Sequence, residues 1–113
     1  MSFAAGYSLA IMTPEGRCFE GTVESLVVPG VVGSFGVLAD HAPLVAALQS
    51  GVVRIAENEQ TTLFFVIGGG LVDVSANSVT LLADTAEKAD NAAEAQRKLD
   101  LLRLDHPTVD PAK

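Results

Sequence analysis

The sequence predicts a mostly β protein. An N-terminal antiparallel β-sandwich spans residues 7 to 84, and one short C-terminal α-helix follows near residues 92 to 104. Three observations predict this. From Tyr7 to Ala83, apolar runs are punctuated by turn residues. Within that span, residues 27 to 51 carry Pro29, Gly30, Gly33, Gly36, Pro43 and Gly51. Prolines break helices, and each glycine would cost roughly 1 kcal/mol inside one, so helix is excluded there. After Asp84 the apolar period changes from that of strands to that of a helix. The expected division is a sandwich of residues 1–86 and a helical segment with an irregular tail over residues 87–113.

The first strand, Leu9 to Met12, ends at Thr13-Pro14-Glu15-Gly16, where proline sits at a favoured turn position. Cys18 to Val28 alternates as one strand. Val23, Ser25 and Val27 share one face, and Thr22, Glu24, Leu26 and Val28 share the other. Residues 27 to 51 read as short strands joined by tight turns, with Asp40 and His41 at a loop tip. Val52 to Ala56 leads into the polar hairpin tip Glu57-Asn58-Glu59-Gln60, and Thr61 to Ile67 returns. The unbroken run Leu63-Phe64-Phe65-Val66-Ile67 implies a strand covered on both faces. Gly68-Gly69-Gly70 lets a strand bulge or another backbone come close. It is not a phosphate loop, since neither the Lys-Ser/Thr pair nor a helix follows. Leu71 to Val74 and Val79 to Leu82 flank a second hairpin at Ser75-Ala76-Asn77-Ser78. Several short strands at close spacing indicate a sandwich or flattened barrel.

Past Asp84, Asn91 and Glu94 have the spacing of a capping box that opens a helix. Ala92, Ala95, Leu99 and Leu102 fall on one face, and Glu94 and Lys98 are spaced for an ion pair. His106-Pro107 stops the helix. Such a helix, about 14 residues long, is marginal alone, so its apolar face is expected to dock on the sandwich.

Composition narrows the function. A chain of 113 residues suffices for one domain and a short appendage, and 49% hydrophobic against 19% charged residues is a globular balance. No apolar run approaches the ~20 residues of a membrane span. Residues 1 to 12 lack the basic start of a secretory leader. The single Cys18 has no partner for an internal disulfide, which fits a reducing compartment, and it reads as a small strand residue. The net charge is −7, and residues 1 to 83 hold seven acids against Arg17 and Arg54. That surface repels phosphate backbones and anionic lipid, so nucleic acid is not an expected partner. His41 and His106 are too few for a metal site. No nucleophile–base arrangement or paired carboxylates stand out, so neither catalysis nor a cofactor is expected. Glu57 and Glu59 read as solvated. His41 keeps two readings: with Asp40 it meets a partner, or it braces a turn.

Three ordered blocks carry a family resemblance across most of residues 8 to 87. The first is Val28-Pro29-Gly30, Gly33, Phe35-Gly36-Val37-Leu38, His41-Ala42-Pro43-Leu44, Leu48 and Gly51. The second is Gly69-Gly70-Leu71-Val72-Asp73-Val74, and the third runs from Asn77 to Glu87. Together they resemble the N-terminal domain of the epsilon subunits of F-type ATP synthases, called delta in mitochondria. Gly68, Leu71 and Ser34 depart from the family pattern, which usually has serine, phenylalanine and an acidic or polar residue there. The resemblance implies a non-catalytic rotor subunit between the gamma subunit and the ring of c subunits, coupling ring rotation to gamma. It makes Ser34, Asp40 and His41 the candidate interface residues, and Pro29, Gly30, Gly33, Gly36, Pro43, Gly69 and Gly70 structural turn residues. It implies a peripheral place at the cytoplasmic face of a bacterial inner membrane, or its organellar equivalent. Many bacterial relatives carry two C-terminal helices whose unfolding underlies inhibition. Here one helix can be placed, truncated relative to that hairpin, and Pro107 and Pro111 forbid its extension, so a strongly inhibitory tail is not expected. The alternative is a stand-alone β-sandwich adaptor or a small-ligand-binding domain.

Overall fold

A computed structural model describes residues 6–39 and 41–105 of the chain. Asp40, His106 and Pro107 lie outside the described residues. The chain opens with a hairpin of β1 (Tyr7–Thr13) and β2 (Gly16–Val23) around Pro14-Glu15, where the Thr13 hydroxyl accepts the Glu15 amide at 3.1 Å. A second hairpin joins β3 (Ser25–Gly30) and β4 (Gly33–Leu38) around Val31-Val32. Then come β5 (Leu44–Ala56), β6 (Thr62–Ser75), β7 (Ser78–Ala83), β8 (Ala86–Ala89) and α1 (Ala92–Asp105).

The predicted fold class is the observed one: a β-sandwich followed by one C-terminal helix. The strands run in the order β2-β1-β7-β6-β5-β3-β4, with β8 also on β6. β6 pairs with β8 from Phe64 to Ile67 and with β7 from Gly70 to Ser75, so its two halves serve different parts of the sheet. Between them the sheet closes over Leu9, Ile11, Leu26, Val28, Val53, Ile55, Ile67, Val72 and Leu81, all fully buried. Burying each of the larger of these contributes about 1.5–3 kcal/mol. β8 lies on both sides of the boundary expected at residue 86.

Several elements differ from the sequence reading. Cys18 to Val28 is not one strand. It breaks at Glu24, whose amide is tied to the Ala56 carbonyl at 2.7 Å, so Val23 and Leu26 are both buried although strict alternation would put them on opposite faces. The Val52 and Thr61 strands are not short. β5 and β6 run 13 and 14 residues as one continuous antiparallel ribbon. The glycines at 68–70 do not bulge this ribbon, because its register is unbroken from Leu44↔Val74 to Ala56↔Thr62. Instead the inward phase flips in both strands at once: Leu48 to Val53 in β5, and Ile67 to Val72 in β6. Shared flipping bends the ribbon without shifting its register, at the one position, Gln49 opposite Gly69, where the strands do not pair. One pair, β1 with β7, is parallel, from Ser8↔Ser78 to Met12↔Leu82. Parallel neighbours need a long connection, and nearly the whole domain lies between these two.

Close backbone approach is what the glycines permit. A Cβ on Gly70, where φ is +151°, would overlap the Leu82 carbonyl oxygen of the neighbouring strand. Gly51 leaves room for the Pro29 ring, whose Cβ would lie 2.5 Å from an added Cβ. Two residues of the first family block are thus one packing contact between β3 and β5.

The helix begins as predicted. Asn91 Oδ1 accepts the Glu94 amide at 2.8 Å, and Glu94 reaches back to the amide of Asp90 rather than that of Asn91. It docks through Ala95 and Leu99, buried with Val66 and Ala89, and through half-buried Leu102 beside Val52 and Phe64. Phe65 and Ile67 face the main core while Phe64 and Val66 face the helix, so the strand is covered on both faces as read. Ala92 does not join the docked face and is exposed. Lys98 pairs with Glu87 of β8, not with Glu94.

Candidate partner interface

β4 ends the strand order and pairs only with β3 among the described residues. The stretch from Ser34 to Leu38 is therefore an edge strand, one of the short strands read within residues 27 to 51. Ser34 is exposed at its start, opposite Pro29. His41 lies in the β4–β5 connection, its amide bonded to the Leu38 carbonyl at 3.0 Å. That connection folds back, and the imidazole comes to rest 6.4 Å, centroid to centroid, from the Phe35 ring at 42°. His41 Nδ1 lies 2.7 Å from the Ala42 carbonyl oxygen. A carbonyl only accepts, so Nδ1 carries the proton. His41 thus braces the turn, and it stands beside Phe35, the residue next to Ser34. Asp40 lies outside the described residues.

The sequence reading missed a larger feature. Val31 and Val32, at the tip of the β3–β4 hairpin, are 56% and 99% exposed. The Val31 amide donates to the Ala47 carbonyl at 3.1 Å, which places the tip beside β5. Ala47 pairs with Leu71, Leu71 with Leu82, and Leu82 with Met12. Cross-strand partners share a face. Their neighbours Leu48, Val72, Leu81 and Ile11 point into the core, so this row points out. It is an apolar stripe across the sheet from Val31 to Met12, about 19 Å long at the usual strand spacing. Leu71 and Leu82 are 36% and 44% exposed. The adjacent row, Val45, Asp73, Thr80 and Ala10, adds a second exposed valine and one carboxylate. A contiguous exposed apolar strip on a sheet face marks a surface that another protein covers. Only the register assembles these five residues, since in sequence they are spread over some seventy positions, and alternation of each strand was the sole signal.

No described helix is long and apolar enough to cross a membrane. Gly69 and Gly70 sit within β6, Gly70 against the β7 backbone and Gly69 beside the Leu48 carbonyl of β5.

The family described as "ATP synthase, Delta/Epsilon chain, beta-sandwich domain" matches residues 7–89. The ATP synthase epsilon chain of Pelotomaculum thermopropionicum is 43% identical over 94 residues, covering 80% of this chain and 69% of that protein. The corresponding chain of Granulibacter bethesdensis is 35% identical over 105 residues, covering 91% of this chain and 78% of that one. A chain in the Euglena gracilis mitochondrial ATP synthase structure (OSCP, F1 and c-ring) superposes with a TM-score of 0.72 at 21% identity, over 99% of this chain and 72% of that chain. Another, in the central stalk and c-ring of the Tetrahymena thermophila mitochondrial enzyme, gives 0.62 at 14% identity, over 89% and 96%. At such identities the two structures speak to the fold alone.

Proposed function

The chain belongs to the delta/epsilon family of ATP synthase subunits, and from that premise we propose that it is a non-catalytic rotor subunit of the central stalk, coupling rotation of the c-ring to the gamma subunit. The observation that supports this most directly is the pair of adjoining surfaces on one rigid sandwich: the outward stripe, and the β4 edge with its His41 turn.

The stripe is the seat of gamma. Its apolar residues would be buried by a protein surface of matching shape, and apolar burial gives a contact that resists shear without directional bonds. The corner of Ser34 and His41, with the Val31-Val32 tip beside it, faces the polar loops of the ring, and Asp40 is a further candidate for that contact from the sequence. Torque then passes through a sandwich whose ribbon β5–β6 keeps one register along its length, so little of it is lost to internal sliding. The subunit is peripheral and held through the complex, at the cytoplasmic face of the bacterial inner membrane or its organellar equivalent.

Co-expression with gamma and the c-ring, followed by a pull-down, tests the reading. The chain should retain gamma. His41→Cys should form a disulfide with a cysteine placed in the c-subunit loop. A chain that retains neither partner would return the molecule to the class of stand-alone adaptor domains.

A further inference from the structure

Among the described residues, two side-chain hydrogen bonds are shielded from solvent, and both end on carbonyls of the β3–β4 hairpin. Tyr7 Oη, from β1, donates to the Val37 carbonyl at 2.7 Å across thirty positions of sequence, in a fully buried contact. Gln49 Nε2, from β5, donates to the Gly30 carbonyl at 3.2 Å, partly buried. The other side-chain bonds, such as Arg17–Glu20 and Gln96–Asp100, lie at the surface. The hairpin needs such ties. β4 has one neighbour, so one edge of its backbone has no ladder. Nor is the β3–β5 register continuous, for it shifts between Val27 and Gly30.

Resting on the reading above, we propose that Tyr7 and Gln49 are positioning residues for the ring-facing corner. Neither touches the ring. Tyr7 sets the depth of β4 through Val37, and β4 carries Ser34 and Phe35, on which the His41 ring rests. Gln49 sets the tip through Gly30, the residue before Val31-Val32. A corner that turns with the ring and passes its torque on must keep its place under load. The two bonds supply that stiffness from strands outside the hairpin. The stripe residues from Ala47 to Met12 do not depend on them, since those residues are held by the β5–β6–β7–β1 ladders.

The test uses the full chain in the assembled synthase. Cys18 is exposed and is first replaced as Cys18→Ser to silence its thiol. Ser34→Cys is then paired with a cysteine in the c-subunit loop, with and without Tyr7→Phe. Tyr7→Phe keeps the ring and loses only the donor, so the core stays filled. Expected are a several-fold loss of crosslink and of ion-driven ATP synthesis, with gamma affinity kept. Amide exchange over residues 34–38 should rise about tenfold, the equivalent of one hydrogen bond of local protection, while β6 and β7 stay protected. Gln49→Ala should act in the same direction through the tip. Undiminished crosslinking in Tyr7→Phe overturns the inference and leaves the ring-facing reading standing. Uniformly faster exchange throughout the sandwich also overturns it, because Tyr7 would then be a core residue only. Absent crosslinking with Tyr7 intact removes the ring-facing reading itself, and the positioning role with it.

Discussion

Tyr7 is the only tyrosine, and there is no tryptophan, so its titration can be followed by ultraviolet absorbance. Burial pushes its phenol from 10.0 up to about 12. In the unfolded chain it ionises near its ordinary value, so between these two pH values the unfolded state holds fewer protons than the fold. Stability therefore falls as pH rises through that window, and this group adds no slope below it. Tyr7→Phe should remove that alkaline component. At neutral pH it should cost about 1–2 kcal/mol, because the buried Val37 carbonyl loses its donor. Urea unfolding at neutral and alkaline pH measures both effects. Gly70 is the second sensitive residue. Its φ of +151° suits glycine, and a side chain would strike the Leu82 carbonyl. Gly70→Ala should cost more than about 2 kcal/mol, through strain and the displaced strand together. A change below 1 kcal/mol, read as a shift in the urea midpoint, would show that the β6–β7 approach relaxes easily.

At the scale of elements, α1 is the least secured part. One small apolar cluster around Ala95 and Leu99 holds it, along with its cap and one exposed pair. The Lys98 ammonium is held above its usual range chiefly by its hydrogen bond to Glu87, which outweighs the lowering from lost solvation, with the charges of Glu87, Glu94 and Asp90 adding to the rise. Being exposed, this pair steers the helix more than it anchors it. The anchors are apolar. Leu99→Ala should cost about 2–4 kcal/mol of docking and Asn91→Ala about 1 kcal/mol. Hydrogen exchange should show residues 92–105 opening before the sandwich in both variants. Equal acceleration in β6 would mean that helix and sheet unfold as one unit.

For the whole molecule, the stripe and the helix lie on different faces of the ribbon. The stripe uses the outward residues of the β6 half that pairs with β7, and the helix covers the half that pairs with β8. Partner binding and helix docking should therefore be separable. Leu71→Asp with Leu82→Asp should weaken gamma binding by a hundredfold or more, since it puts two charges on a surface that must lose its water. The isolated chain should stay folded with a lowered unfolding midpoint, because the two new carboxylates are direct cross-strand partners and repel. Deletion of the helix gives the complementary result. A cut at residue 88 would take Ala89 from β8, so the deletion should begin at residue 90. The fourteen helical residues span about 21 Å. ATP hydrolysis by the reassembled soluble complex should then change little. A several-fold rise with the complex intact would identify the short helix as an inhibitor.

The sequence alone determined the local terms. Pro29, the glycines of residues 30–51 and the turn residues marked where strands end, because their backbone preferences hold in any context. The period change after Asp84 and the Asn91 cap announced the helix, since both are read within a few residues. The three family blocks named the lineage, and the double-sided cover of β6 was legible in its unbroken apolar run. Tertiary structure alone decided what is non-local. Alternation says that Leu71 and Leu82 face one side of their own strands. It does not say that they meet Ala47 and Met12 in one row, which is a matter of register between strands far apart in the chain. Nor does it say that Tyr7 reaches Val37, or that Lys98 turns to Glu87 and leaves Glu94. Those pairings depend on where bent strands bring distant residues. They arise from a ribbon that changes phase in both strands together, a coupling that no single strand records.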